Sequence, residues 1–289
     1  MKHKKEIMQK LKEYKRKPGS LIIMLLVMLS AIVTFSMLLF LVGYILVRGI
    51  PNITPELFAL KYTSENVSLF PALINTMWLT GLALLIAVPL GVFSAVFLVE
   101  YAKRGNRFIE IIRLTTETLS GIPSIVYGLF GALFFVKTIG WGYSLIAGGF
   151  TLAIMILPLV MRTTEEALKA VPDTYREGSF GLGAGKLRTV FKIVLPSAIP
   201  GILAGIILAV GRIVGETAAL IHTAGTVAGV PSDVFGSGRT LAVHMYSLSS
   251  EGLYMNQAYA TAVILLILVL GINQLSAFIA KRLMKGREK

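Results

Sequence analysis

The sequence predicts an all-α membrane protein with six transmembrane helices. Of its 289 residues, 55% are hydrophobic and only 15% are charged, whereas a soluble domain carries about 25% charged residues. The mean hydropathy of +0.76 indicates the same class. The third observation is the pattern of six apolar runs, which are separated by charged or turn-rich segments.

The first apolar run is free of charge from Leu21 to Val47. As a helix it would measure about 40 Å, which is enough to cross a hydrocarbon core of about 30 Å with some tilt. A signal peptide would have an apolar region of only about 7–15 residues and a small-residue cleavage site. We therefore expect an uncleaved first span.

Five further spans are predicted by the later apolar runs. They cover residues 71–99, 125–136, 144–161, 194–224 and 258–280. Apolar and charged residues alternate at helical spacing over 108–119, which predicts an amphipathic helix in the membrane interface or against a partner. Two turn-rich segments, 48–70 and 230–256, are expected to lie outside the cell.

The distribution of basic residues predicts the orientation. They concentrate in both tails and between the fourth and fifth spans, so the positive-inside rule places both termini in the cytoplasm. The chain divides into a basic tail (1–20), a first transmembrane helix with its exterior loop (21–70), a core of five transmembrane helices that includes a cytoplasmic coupling loop at 163–192 (71–280), and a second basic tail (281–289).

Several functional classes are excluded or disfavoured by composition. The chain has no cysteine, and its three histidines lack metal-ligand spacing; of these, His244 is expected to be exposed. The net charge of +13 lies beside the spans, where it serves topology and contact with membrane lipid rather than nucleic acid. The glycine run before Lys186 lacks the residue order of a phosphate-binding loop, so we expect neither nucleotide hydrolysis nor a cofactor in this chain.

The charged segment between the fourth and fifth spans predicts a short helix outside the membrane. Pro172 and Asp173 can start such a helix, and Gly183 allows a sharp reversal after it because glycine tolerates positive φ. Pro196 stands in the first turn of the next span, where its missing N–H costs little. A docking element is therefore favoured over the alternative of a plain solvated loop.

This segment resembles the EAA loop of binding-protein-dependent ABC importer permeases. The matching positions are Glu177, Gly178, Ser179, Gly183, Ile193, Leu195 and Pro196. Gly178-Ser179 replaces the Ala-Ala of the family, and Gly178 should weaken the short helix by roughly 0.5–1 kcal/mol. The resemblance implies that the loop couples the membrane helices to a separate ATPase subunit.

Two charged residues stand in the predicted fifth span. Arg212 and Glu216 are four positions apart, so a continuous helix would place them on one face. A charge at mid-membrane costs about 2.5–3.5 kcal/mol on the insertion scale, so Arg212 should face the bundle or a wet cavity. Either the two residues form a structural ion pair, or Arg212 contacts an anion in transit and Glu216 neutralises it between transport events.

Small residues in the same span suit close contact between helices. We expect these glycines to face a related subunit; they form the pairs Gly201/Gly205 and Gly211/Gly215.

Three sequence elements together resemble the phosphate-specific ABC importer permeases of the PstA type. They are GIPSIVYGLFG at 121–131, RTTEEAL at 162–168 and GRIVGETAAL at 211–220. The resemblance covers nearly the whole chain and implies the type I (MetI-like) permease fold. The substrate pathway it implies contains Arg212, Glu216, Thr217, Gly121 and Ser124. Gly121 and Ser124 would offer backbone N–H donors at a helix start, which favours anions, or else serve as a plain hinge.

The resemblance also implies partners and a location. The expected partners are a PstC-type sister permease, two copies of a PstB-type ATPase that hold ATP and Mg, a PstS-type phosphate-binding protein, and inorganic phosphate itself. The location is a bacterial or archaeal plasma membrane. Alternatives are a permease for sulfate or molybdate, the PstC-type sister subunit, an ATP-independent transporter or channel, and a membrane scaffold or sensor.

Overall fold

The computed structural model describes residues 18–102 and 105–285, and in these ranges the chain consists of helices joined by turns and loops. Within these ranges, five helices are long and apolar enough to cross a membrane, and a sixth span is present if one sharply bent pair is counted as a single crossing. The predicted all-α membrane class is confirmed.

The described residues form eleven α-helices, more than the six predicted spans. They are α1 (Pro18–Gly49), α2 (Phe70–Val96), α3 (Arg107–Ser120), α4 (Ser124–Gly131), α5 (Leu145–Lys169), α6 (Asp173–Gly181), α7 (Lys186–Thr189), α8 (Leu195–Val214), α9 (Ala218–Ile221), α10 (Leu241–Glu251) and α11 (Met255–Lys285). Wider π-helical turns extend α2, α4 and α7; they cover Phe97–Tyr101, Ala132–Thr138 and Val190–Val194.

The main core lies where α2, α5 and α8 pack together. Leu79, Ile156 and Ile213 are at most 2% exposed there. Burial of side chains of this size contributes about 1.5–3 kcal/mol each in soluble proteins; within lipid the corresponding gain comes from close packing instead. This core fixes the helices that carry the residues of interest.

The first helix stands largely apart from this core. None of the most apolar window of α1 is buried inside the chain, and it touches α11 near its end, where the Tyr44 and Tyr259 rings meet edge to face at 5.8 Å. Gly49 permits the approach, because a Cβ there would overlap the Tyr259 carbonyl. The remaining apolar surface of α1 is therefore available to lipid or to another subunit.

Two predicted spans differ in the structure. The third predicted span is joined to α3, which precedes it. The axes of α3 and α4 bend by 101° at Gly121–Pro123. The fifth was predicted to run to Ala224 but ends at Val214, with Gly215 at its C-cap. Mean hydropathy does not register this break, because the few polar residues around it stand within a long apolar run.

The predicted role of the glycine pairs is half wrong. Gly201 and Gly205 face α5 of the same chain, where an added Cβ would overlap Ala167 and Thr163 respectively. An added Cβ at Gly211 would meet nothing within 4 Å. Only the pair that begins with Gly211 is therefore free to face a related subunit.

Candidate functional site

The two helix breaks bring the candidate pathway residues into one region. After the first break, α4 packs against α9, which follows the second break, so closely that a Cβ on Gly128 would lie 2.7 Å from the Cα of Ala219. Ile122, inside the first break, packs against the core cluster that contains Ile213 of α8. Segments about ninety residues apart in sequence are therefore neighbours.

Arg212 lies in the last turn of α8 and is partly buried. Among the side chains that the structure describes, no carboxylate forms an ion pair with it. Ile213, the residue that follows Arg212, packs in the same core cluster as Tyr127 of α4. A cation without a bonded counter-ion at the junction of two broken helices is a suitable contact for an anion.

Glu216 does not form the ion pair that the sequence suggested. It is 8% exposed, and its Oε1 atom accepts a hydrogen bond of 3.0 Å from the backbone N–H of Ala219. The i,i+4 argument fails because the helix stops at Val214 and the two residues no longer share one helical face. Glu216 instead caps the first turn of α9.

The other pathway candidates flank the same breaks. Gly121 closes α3, where its N–H donates to the Thr118 carbonyl at 3.1 Å, and Ser124 is the first residue of α4. The first N–H groups of a helix have no partner within that helix and carry partial positive charge. Thr217 lies in the second break, and it is partly buried.

A tyrosine that the sequence did not single out spans the first break. The Tyr127 hydroxyl donates to the Leu119 carbonyl at 2.8 Å, so it reaches from α4 back to the last turn of α3. Tyr127 is 5% exposed. Its position within the GIPSIVYGLFG element was the available signal, but nothing in the sequence indicates which backbone group its hydroxyl would meet.

The segment that resembles the EAA loop forms a compact hairpin over residues 173–196. Gly183 makes the turn after α6 with φ +80°, a value that glycine adopts without penalty. The turn is held by the hydrogen bond from the Ala184 N–H to the Ser179 carbonyl at 3.1 Å. The Ser179 and Thr189 hydroxyls add a buried contact of 2.8 Å.

The positions of this hairpin divide between an exposed tip and a packed base. Glu177 and Gly178 are exposed, and Leu182 is 91% exposed. The half-buried members at the base are Ile193, Leu195 and Pro196. Three more apolar side chains surround the tip with at least 48% exposure: Tyr175, Phe180 and Leu187. Clustered exposed apolar side chains outside a membrane span are typical of a protein-docking surface.

A buried ion pair that the sequence did not reveal anchors the hairpin. Arg176 of α6 lies 2.7 Å from Glu100 at the end of α2. Its guanidinium also donates to the carbonyls of Leu168 and Val171 at 3.0 and 2.9 Å. The contact joins residues 76 positions apart, and no local sequence pattern encodes such a pairing.

A second ionic cluster joins α3 to α5. Glu165 is contacted by Arg113 of α3 at 2.9 Å and by Lys169 at 2.7 Å. A cavity of about 430 Å³ separates the first half of α3 from α6 and is lined by Glu100, Arg113 and Arg176, among others. The ion pair therefore bridges α3 to the bundle beside an open space.

On the opposite side of the bundle, α10 buries polar side chains. His244 was expected to be exposed and this is wrong, because it is 0% exposed and its ring meets the Tyr62 ring edge to face at 6.2 Å. Arg239 stacks over the same ring at 4.7 Å. Burial, helped by the Arg239 charge, lowers the pKa of His244 to about 3. In the ranges described, no group of His, Asp or Glu side chains is placed to hold a metal.

Comparisons with known proteins identify similar chains over most of the length. The family described as "Binding-protein-dependent transport system inner membrane component" matches residues 87–285. The probable ABC transporter permease protein YqgI of Bacillus subtilis (strain 168) is 36% identical over 240 residues, covering 78% of this chain and 81% of that protein. The phosphate transport system permease protein PstA 1 of Mycobacterium tuberculosis (strain ATCC 25618 / H37Rv) is 36% identical over 235 residues, covering 80% and 73%.

Solved structures give the same fold. A chain of the MetNI methionine ABC transporter in an inward facing conformation aligns with a TM-score of 0.58 at 21% identity and covers 84% of this chain and 97% of its own. A chain of a bacterial ABC transporter that imports alginate aligns with a TM-score of 0.63 at 17% identity and covers 95% and 99%. These identities establish the MetI-like permease fold and nothing about substrate.

Proposed function

Because the chain belongs to the family of binding-protein-dependent transport system inner membrane components, we propose that it is the PstA-type permease subunit of an ATP-driven importer of inorganic phosphate. The names of several relatives at about one-third identity support the substrate class. The observation that carries the proposal within the chain is Arg212, a partly buried cation beside two helix breaks.

The phosphate path runs along the junction of α4 and α8. Arg212 supplies the positive charge, and the first turn of α4 at Ser124 adds backbone donors on a favourable helix dipole. Thr217 offers a hydroxyl in the neighbouring break. Glu216 keeps this arrangement in place by capping α9, and its negative charge lowers the net field that would otherwise trap an anion.

The hairpin at 173–196 is the contact with the ATPase. Glu177, Gly178 and Ser179 lie on α6, and Gly183 shapes the exposed turn that enters the partner. Ile193, Leu195 and Pro196 connect the base of the hairpin to α8, which carries Arg212 at its far end. Movement imposed at the tip is thereby delivered to the helix that lines the path.

The complete importer contains chains besides this one. The subunit has no nucleotide site of its own, and a PstB-type ATPase dimer holds ATP and Mg. A PstC-type sister permease forms the other half of the path, and a PstS-type binding protein delivers phosphate from outside. The chain crosses the plasma membrane several times with both termini in the cytoplasm, where the hairpin meets the ATPase.

Reconstitution with these partners tests the function. Proteoliposomes that contain the four-subunit membrane complex and the binding protein should take up radiolabelled phosphate only when ATP is supplied. Sulfate and molybdate should neither compete nor accumulate. Uptake without ATP would instead identify a secondary transporter or channel, and preferential uptake of sulfate or molybdate would identify a permease for another oxyanion.

Variants of the charged residues test the path. Arg212→Gln should abolish phosphate uptake while the complex still assembles. Arg162→Gln is the matched control, because the described partner of Arg162 is Glu166 of its own helix at 3.1 Å. Glu216→Gln keeps a side-chain acceptor for the Ala219 N–H, so assembly should persist while uptake falls. Normal uptake by Arg212→Gln would refute the anion contact.

A further inference from the structure

Helix α3 is attached to the bundle at few points. Ile109 is its one buried residue, and the apolar side chains of Phe108, Ile111 and Leu114 are 59–65% exposed. The cavity of about 430 Å³ beside its first half leaves room for displacement. A helix held by few contacts can change position without disrupting the core.

The first attachment point connects α3 to the hairpin side of the bundle. Arg113 lies 2.9 Å from Glu165 of α5, and Glu165 is also 2.7 Å from Lys169, the last residue of α5. Three residues separate the end of α5 at Lys169 from the start of α6 at Asp173. Displacement of the hairpin would therefore move the end of α5, which carries Glu165, through the short segment 170–172.

The second attachment point connects α3 to the candidate path. At the 101° bend, the Tyr127 hydroxyl bonds the Leu119 carbonyl at 2.8 Å. That carbonyl belongs to the last turn of α3, and it also accepts from the Ile122 N–H at 3.1 Å, so the hydroxyl adds a second bond across the bend. The Tyr127 ring is packed in the core cluster with Ile213, the residue that follows Arg212.

We propose that α3 is a lever between the ATPase contact and the substrate path, with Arg113 as its input and Tyr127 as the positioning residue that carries its displacement to Arg212. The inference rests on the proposed function of the chain as an importer subunit. Tyr127 touches no substrate in this scheme. It sets the angle of the Gly121–Pro123 bend, and with that angle the position of α4 beside Arg212.

The first test removes a single oxygen atom. Tyr127→Phe keeps the buried ring and deletes the bond to Leu119, so the reconstituted complex should assemble and hydrolyse ATP normally. The number of phosphate ions transported per ATP should fall roughly 5–10-fold, the effect of one lost hydrogen bond on a two-state equilibrium. Tyr246→Phe, at a half-exposed tyrosine of α10, is the matched control and should leave this ratio unchanged.

The second test asks whether both attachment points belong to one device. Arg113→Gln should lower the number of phosphate ions transported per ATP, and Arg113→Lys should restore most of it. The double variant with Tyr127→Phe should lower this ratio no further than the more damaging of the two single substitutions does. Arg162→Gln is the control, because the ion pair that it removes lies within a single helix. Equal losses of uptake and ATP hydrolysis, or fully additive losses, would identify a merely structural role and overturn the lever.

A distance measurement separates this inference from the choice of substrate. The chain has no cysteine, so spin labels can be attached at Leu114→Cys on α3 and Leu129→Cys on α4, whose native side chains are 65% and 49% exposed. Binding of a non-hydrolysable ATP analogue to the complex should change the distance between the labels, and Arg113→Gln should abolish the change. An unchanged distance in the otherwise wild-type complex overturns the lever even if phosphate uptake is normal. Failure of phosphate uptake with a retained distance change overturns the substrate assignment instead.

Discussion

The Arg176 guanidinium lies 2.7 Å from the Glu100 carboxylate, and both side chains are at most 15% exposed. Arg176 belongs to α6 and Glu100 to the π-helical end of α2, so this contact ties the hairpin at 173–196 to a helix that precedes it by many residues. The guanidinium also donates to the backbone carbonyls of Leu168 and Val171 and to the Asp173 carboxylate at 3.1 Å. The hairpin is therefore held by side chains as well as by its two chain connections.

Loss of this ion pair should weaken the hairpin. Removal of one partner from a buried pair leaves an uncompensated charge and typically costs about 3–5 kcal/mol. Arg176→Gln should therefore reduce co-purification of the ATPase and lower the thermal unfolding midpoint of the chain in detergent. Arg162→Gln interrupts an exposed pair, for which about 0–1 kcal/mol is usual. Comparable behaviour of the two variants would show that Arg176 has no special part in holding α6.

Alanine substitutions at Gly183 and at Gly181 should have opposite effects on the stability of the hairpin. Neither Gly181 nor Gly183 has any atom within 4 Å of an added Cβ, but Gly183 has φ +80°. Alanine at Gly183 should destabilise the turn by about 1–2 kcal/mol, whereas alanine at Gly181, the last residue of α6, should stabilise the helix by up to about 1 kcal/mol.

The affinity of the purified permease pair for the ATPase measures this difference. Gly183→Ala should weaken binding roughly 5–30-fold, since a tenfold change in affinity corresponds to about 1.4 kcal/mol. Gly181→Ala should leave affinity equal or improved. Equal losses from both substitutions would attribute the effect to side-chain bulk at the interface and not to the conformation of the turn.

The sequence predicted those helices and turns that are determined by a few consecutive residues. The amphipathic helix expected over 108–119 is α3 (Arg107–Ser120), because charged and apolar residues at helical spacing determine one face. The short helix and reversal at Gly183 were likewise predicted from proline and glycine, which act on their own backbone. These features depend on a few consecutive residues and need no knowledge of the packing.

The missed features depend on contacts between distant segments. The break at Gly215 lies in a largely apolar run, and Glu216 stabilises it by accepting from Ala219. The burial of His244 requires α10 to pack beneath the loop that carries Tyr62. Pairings such as Arg176 with Glu100 are decided by where two helices end in space. Hydropathy and helical spacing contain no information about any of these relationships.

The two glycine pairs should respond to bulk in different ways. Gly205→Leu would force a side chain against Thr163 of α5, and overpacking of this kind usually costs about 1–3 kcal/mol. Gly211→Leu meets no atom of its own chain within 4 Å. We expect Gly205→Leu to lower the unfolding midpoint of the isolated chain and Gly211→Leu to reduce only its co-purification with the sister permease. A folding defect in Gly211→Leu would place that face inside the subunit.

The stability of the chain should depend on pH through His244. The folded pKa of about 3 lies below the unfolded value of about 6.5, so the unfolded chain binds a proton at pH 5 and the folded chain does not. The neutral ring is favoured by its burial against Tyr62 and by repulsion from Arg239. Stability is therefore fully present above pH 6.5 and declines as the pH falls, by about 2 kcal/mol between pH 7.5 and pH 5.

A non-titrating aromatic residue isolates this contribution. His244→Phe keeps a ring beside Tyr62 and has no proton to bind, so its unfolding midpoint in detergent should fall much less between pH 7.5 and pH 5 than that of the wild type. The comparison uses the difference between the two pH values within each protein, which removes any constant effect of the substitution on packing. The same acid-induced decrease in both proteins would exclude His244 as its source.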